Sequence, residues 1–141
     1  MSWATERLQA LKEGKATPPP VVKTLGLGTF DDWGPGWARK TWKPSPDFTN
    51  GDGSLFGGHI AALADQILAF ATMSVVPDGM GFRTVNLSVQ FFRVAREQAI
   101  DIEARVVAQS RQLISVEASF TDPDGRIFAK ATAQQVTMPL R

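Results

Sequence analysis

Residues 57–76 read GGHIAALADQILAFATMSVV, and the fold turns on this stretch. From Ile60 to Val76 nearly every side is apolar: Ile60, Ala61, Ala62, Leu63, Ala64, Ile67, Leu68, Ala69, Phe70, Ala71 and Met73. A surface helix carries one apolar stripe, whereas a helix that is apolar all round is buried. Its many alanines let other backbone pack closely against it. Gly57 and Gly58 stand directly before it, and Pro77 and Gly79 end it. Asp65 and Gln66 interrupt it, so it does not read as a membrane span.

Such a helix needs cover on more than one side, and the residues after Gly81 supply it. In Thr84–Phe92, Val85, Leu87, Val89 and Phe91 alternate with Thr84, Asn86, Ser88 and Gln90. That parity places Thr84 on the face turned away from the helix. Ile100, Ile102, Ala104, Val106 and Ala108 share one face of the next segment. Ile114, Val116, Ala118 and Phe120 do so in Gln112–Phe120, and Ile127, Ala129, Ala131 and Ala133 in Arg126–Thr137. Period-two alternation in successive segments predicts antiparallel strands with one buried face. Gln109-Ser110-Arg111 and Asp122-Pro123-Asp124-Gly125 are the short connections, the second a hairpin turn in which Gly supplies positive φ.

Upstream of the helix, Lys23–Asp31 and Gly36–Lys43 are candidate strands joined across Gly34-Pro35-Gly36. Trp33, Trp37 and Trp42 lie here and are expected to cover a sheet edge or a subunit contact. Pro44–Gly58 is a long polar loop of the kind that carries function. Ser2–Gly14 reads as a short helix capped by Ser2, and Pro18-Pro19-Pro20 is expected to prevent regular structure. The whole predicts an α+β domain: a curved antiparallel sheet of about six strands wrapped around a long central helix, with a short N-terminal helix. The expected division is an N-terminal helix and Pro-rich linker over 1–20 and a single domain over 21–141.

Composition narrows the chemistry. The 141 residues include no cysteine, no tyrosine and one histidine, His59. Disulfides, zinc–thiolate sites, Fe–S clusters and thiol nucleophiles are excluded, and one histidine cannot build a multi-histidine metal site. No metal and no cofactor is expected. A net charge of +1 gives no field for nucleic acid or an anionic membrane. The first twenty residues hold no apolar signal-peptide core, so a cytoplasmic protein is expected.

Leu55-Phe56-Gly57-Gly58-His59-Ile60-Ala61-Ala62-Leu63-Ala64-Asp65-Gln66 resembles the helix start of the hotdog-fold, phenylacetic-acid-degradation type (PaaI-like) acyl-CoA thioesterases. Asn50, Gly57 and Asp65 fall at that family's spacing; Thr84 matches its strand-opening Ser/Thr, and Phe91-Phe92-Arg93 its strand end. The likeness covers roughly Lys23 to Met138. Phe56 stands where a histidine is frequent, and Val94 where a proline is. The resemblance implies a hotdog fold and hydrolysis of an acyl-CoA by a homodimer, assembling to a tetramer.

Thioester hydrolysis needs donors for a developing oxyanion and a base or nucleophile at the carbonyl carbon. Gly57 and Gly58 offer free amides at the positive end of a helix. Asp65 is the general base or the nucleophile; Asn50 and Thr84 orient water or its carboxylate. Eight helical residues span about 12 Å, so Gly57 and Asp65 of one chain cannot meet at one carbon. If both act, the site combines two subunits. Phe56 could line an acyl pocket beside Gly58, as could Phe92, or both could be core. Arg93 and Arg111 suit the phosphates of coenzyme A. Asn50 is by default a turn residue, and His59 a surface or interface residue of the first helical turn. The alternatives are a non-catalytic acyl-CoA-binding protein and, last, a hydratase, which would need a histidine beside an aspartate.

Overall fold

The computed structural model describes residues 1–141. Three α-helices, α1 (Trp3–Lys12), α2 (Pro20–Thr24) and α3 (Gly57–Met73), and a 3-10 turn at Pro46–Phe48 accompany six strands: β1 (Asp32–Gly34), β2 (Trp37–Trp42), β3 (Met80–Phe91), β4 (Ile100–Gln109), β5 (Leu113–Thr121) and β6 (Ile127–Pro139). One antiparallel sheet runs in the order β1-β2-β4-β5-β6-β3 and curls around α3. No helix is long and apolar enough to cross a membrane.

The curl has a local cause. Single residues bulge out of register at Val85 in β3, Val107 in β4 and Phe128 in β6. A bulge bends its strand and increases its twist. Each also reverses the side-chain parity on one side of it. Val85 and Val107 are therefore exposed, and Phe128 rather than Ile127 is buried. The strict alternation expected through these strands is corrected at those points.

The sheet's inner face packs Ile100, Ile102, Ala104, Ile114, Val116, Ala118, Phe120, Ala129, Ala131 and Ala133 against Ile60, Leu63, Ala64, Ile67 and Leu68 of α3. Ser2 caps α1 by accepting the Thr5 amide at 3.1 Å. Ala4, Leu8 and Leu11, spaced for one helical face, enter the same core. The Trp3 indole donates to the Met80 carbonyl at 2.7 Å, and Lys12 pairs with Asp32.

Two upstream expectations are corrected. Lys23–Asp31 is not a strand, because Gly26 and Gly28 adopt φ of 60° and 67°, which breaks an extended run. The prolines do not exclude regular structure either: Pro20 opens α2, where its fixed φ suits the first helical turn and no amide is needed. Trp42 is core, whereas Trp33 and Trp37 are half-buried.

The two sheet edges differ. β1 is three residues long, and Lys12 of α1 pairs with its Asp32. β3 is twelve residues long and unpaired on its outer side. Long bare edges invite pairing with another strand, and folds normally blunt them.

Candidate active site

α3 begins at Gly57, three residues before the expected apolar run. Both glycines are therefore helical, and Phe56 is the residue before the first turn. His59 and Ile60 amides donate back to the Phe56 carbonyl at 3.0 and 3.4 Å, but neither Gly57 nor Gly58 N–H meets an acceptor. Two free donors thus stand at the positive end of a seventeen-residue helix. A Cβ on Gly57 would lie 3.3 Å from the Phe91 ring, and one on Gly58 2.5 Å from Phe56. Bare backbone fills a slot between two aromatic rings. Phe56, Phe91, Phe92 and Val94 are all more than half exposed and form an apolar collar at this end of the molecule.

Asp65 lies on the uncovered side of α3. In a single chain it is exposed, and no hydrogen bond or ion pair reaches its carboxylate. Enough protein surrounds it for burial to push its carboxyl above the ordinary range. Gly58 is also exposed, and Ala61, Ala62 and Ala69 are half-buried. The helix, apolar on nearly every side, therefore shows an open stripe of small residues with one carboxylate in it.

Thr84 corrects its expected parity. The bulge at Val85 sets Thr84 opposite Gln135 and Asn86 opposite Gln134. Gln135 is fully buried, in step with Ala131 and Ala133 of the core, so Thr84 belongs to the inner face at the sheet's edge. Its hydroxyl donates to Gln135 Oε1 at 2.6 Å. Sequence reasoning missed Gln135, because a glutamine among alternating small residues carries no signal until the register is known.

Asn50 closes its own loop. Its amide donates to Ser54 Oγ at 3.1 Å and to the Leu55 carbonyl at 3.4 Å, which agrees with the turn reading. Arg93 follows β3 at the Gly57 end, and its amide donates to the Phe128 carbonyl. Arg111 sits at the opposite end, in the β4–β5 connection, beside a groove of about 680 Å³ shared with Gln112 and Thr137. The eleven residue steps of β3 put about 36 Å between these ends. One chain therefore brings Phe56, Gly57, Gly58 and Arg93 to one end and leaves Arg111 at the other. None of the chain's four principal grooves includes Gly57 or Asp65.

His59 is not at the surface. It is 7% exposed and stacks on Phe48 and Trp42, with ring centroids 4.1 and 5.3 Å away. Burial and the Lys40 charge hold its pKa below the ordinary value, so it is neutral at pH 7. The stack ties the loop that carries Asn50 to the first turn of α3. Next to it, Lys40 is buried, and its ammonium donates to the Leu27 carbonyl at 2.8 Å and Gln66 Oε1 at 2.6 Å. Burial pushes the Lys40 pKa down to about 8, with Asp31 opposing. Two acceptors satisfy two of the three N–H groups of the ammonium.

Lys40 gives a testable pH dependence. Between pH 8 and 10.5 the unfolded chain keeps a proton that folded Lys40 has released. Stability therefore rises with pH across that window, by at most about 3 kcal/mol from this group. No tyrosine titrates in the same range. Denaturant melts at pH 8 and 10 are expected to show this gain in the wild type and to lose it in Lys40→Met.

Residues 52–129 match the family model of the thioesterase superfamily, and the chain belongs to that superfamily. It is 27% identical over 113 residues to a protein of Saccharolobus solfataricus provisionally named an esterase, covering 79% of this chain and 73% of that one. The crystal structure of a phenylacetic acid degradation-related protein from Ralstonia eutropha JMP134, provisionally named a thioesterase, superposes with a TM-score of 0.81 at 27% identity. That match covers 91% of this chain and 97% of the other. A hypothetical thioesterase of Streptococcus pneumoniae TIGR4, solved with coenzyme A, gives a TM-score of 0.72 at 23% identity over 79% and 89% of the two chains. The fold is the hotdog fold that the sequence resemblance implied.

Proposed function

We propose that the protein hydrolyses acyl-CoA thioesters in a site shared by two copies of the chain. The observation that carries this reading is the pair of acceptor-free amides at Gly57 and Gly58. They suit a thioester carbonyl whose oxygen gains negative charge as the carbon is attacked. The missing partner in that attack is a base, and Asp65 of the same chain stands about 12 Å further along the helix. A two-fold related copy brings its own Asp65 to this Gly57 if the two helices run antiparallel.

The proposed pairing locates the two-fold axis. For Gly57 to face Asp65 of the partner subunit twice over, the axis must pass midway between positions 57 and 65, at Ala61. The open stripe of α3 carries alanines there, where two helices can approach closely. The same axis lets the bare β3 edge pair with its copy and cover the exposed Val85, Phe91 and Phe92. The dimer thereby removes the long edge and completes the site in one step.

In the reaction, the Gly57 amide polarises the carbonyl and the partner-derived Asp65 carboxylate activates the attacking group. The C–S bond breaks, and the free acid and coenzyme A leave. The apolar collar of Phe56, Phe91 and Phe92 takes the acyl group, and Arg93 at the same end pairs with a coenzyme A phosphate. Release of free thiol from a panel of short, aromatic and long acyl-CoAs tests this. Turnover on at least one is expected. Tight binding with no turnover on any would replace hydrolysis by non-catalytic acyl-CoA binding.

A further inference from the structure

We propose that Gln135 is a positioning residue for the hydrolysis, acting through the Thr84 hydroxyl so that Asp65 works as a general base on water; this rests on the thioesterase reading above. Gln135 is 0% exposed, on the inner face of β6 in line with Ala131 and Ala133. Its Nε2 finds no acceptor. An unpaired buried amide N–H is costly, and a leucine or methionine in its place would pack without that cost. What the amide provides lies at its other end, the 2.6 Å bond to Thr84 Oγ1.

The donor and acceptor inventory gives that bond a consequence. A carboxamide oxygen can only accept, so the single hydroxyl proton of Thr84 is committed to Gln135. Thr84 Oγ1 then presents lone pairs alone to the edge of the seam between α3 and β3. Gly57 faces Phe91 of β3, and Asp65, eight residues on, lies about 80° further round on the open side of α3; in the proposed site its carboxylate reaches the rim of this seam. An ionised carboxylate is also an acceptor only. Two acceptors do not bond to each other, but a water molecule between them donates one O–H to each. Its lone pair is then free for the thioester carbon.

The step balances. The water oxygen bonds to the carbonyl carbon while its proton passes to the Asp65 carboxylate, and the carbonyl π electrons move to the oxygen at the Gly57 amide. Collapse breaks the C–S bond, and the departing thiolate takes the proton from Asp65. No acyl group is attached to the protein at any stage.

Gln135→Met and Thr84→Val, made singly and together in the full chain, test the proposal through acyl-CoA hydrolysis and thermal melting. Each single variant is expected to lower kcat by about tenfold or more with KM within about twofold. Gln135→Met keeps the wild-type Tm or raises it, since an unpaired donor has gone. The double variant is no slower than the slower single one. Gln135→Glu, which keeps an acceptor oxygen facing Thr84, is faster than Gln135→Met. Should Gln135→Met fail to fold, Gln135→Leu takes its place in the same cycle. Wild-type kcat in the apolar variant overturns the proposal. So does a loss that accompanies a lowered Tm and multiplies with that of Thr84→Val, the mark of a structural role. If the wild type turns over and Gln135→Met matches it, only this proposal fails. If the wild type releases no thiol from any acyl-CoA, the thioesterase reading itself falls.

Discussion

Asp65→Asn is expected to lower kcat for acyl-CoA hydrolysis by roughly 10²–10⁴-fold, the range set by removing a general base. The fold should survive. Asp65 is exposed in the single chain and holds up no hydrogen bond or ion pair. Its pKa is raised by burial, so the ionised carboxylate is disfavoured by folding. The sign follows: folded Asp65 binds its proton more tightly than unfolded Asp65, so its contribution to stability falls as pH rises between the two pKa values. Removing the charge at neutral pH therefore leaves Tm unchanged or slightly higher. A melting curve beside the kinetics separates lost chemistry from lost structure. The acid limb of the wild-type kcat/KM profile should also lie above the ordinary carboxylate range, because the base is active only when ionised.

Ala61→Arg is expected to turn the protein into a monomer and reduce turnover by about a hundredfold or more, the range for a lost catalytic base. Ala61 makes no hydrogen bond through its side chain and is half-buried on the open stripe. A long cation there is harmless to a single chain, because it extends into solvent. At a two-fold axis it meets its own copy, and like charges and excess volume are doubled. Sedimentation together with the thiol-release assay reads both consequences. An Ala61→Arg protein that stays dimeric and active would move the axis elsewhere.

These expectations were unequally legible in the sequence. The central helix declared itself through Ile60–Met73, whose apolar residues lie on nearly every side, although Asp65 and the small residues beside it leave one stripe open. The strands declared themselves through period two. That same regularity hid the bulges: Val85 and Val107 are apolar residues that continue the alternation, so nothing in their chemistry marks the point where register slips. Thr84 was placed on the wrong face for this reason, and Gln135 was passed over with it. His59 was misplaced because its two stacking partners, Phe48 and Trp42, come from a loop and a strand whose approach is a tertiary fact. Lys23–Asp31, expected as a strand, contains Gly26 and Gly28, and these were the better guide. Helix length alone shows that Gly57 and Asp65 of one chain cannot meet at one carbon; joining them across two subunits is what the family resemblance implies.

The shared site is the central claim, and mixing two variants tests it most directly. Gly57→Pro removes the donor amide at a first helical position where proline's fixed φ is accommodated and the preceding residue, Phe56, is already extended. Asp65→Asn removes the base. Each variant alone is expected to be nearly inactive. Unfolded together and refolded, a random mixture makes half mixed dimers, each with one intact site built from the Gly57 of one chain and the Asp65 of the other. Activity should return to about a quarter of wild type. If the mixture is as inactive as its components while sedimenting as a dimer, Gly57 and Asp65 of different chains do not complement each other and the shared site is wrong.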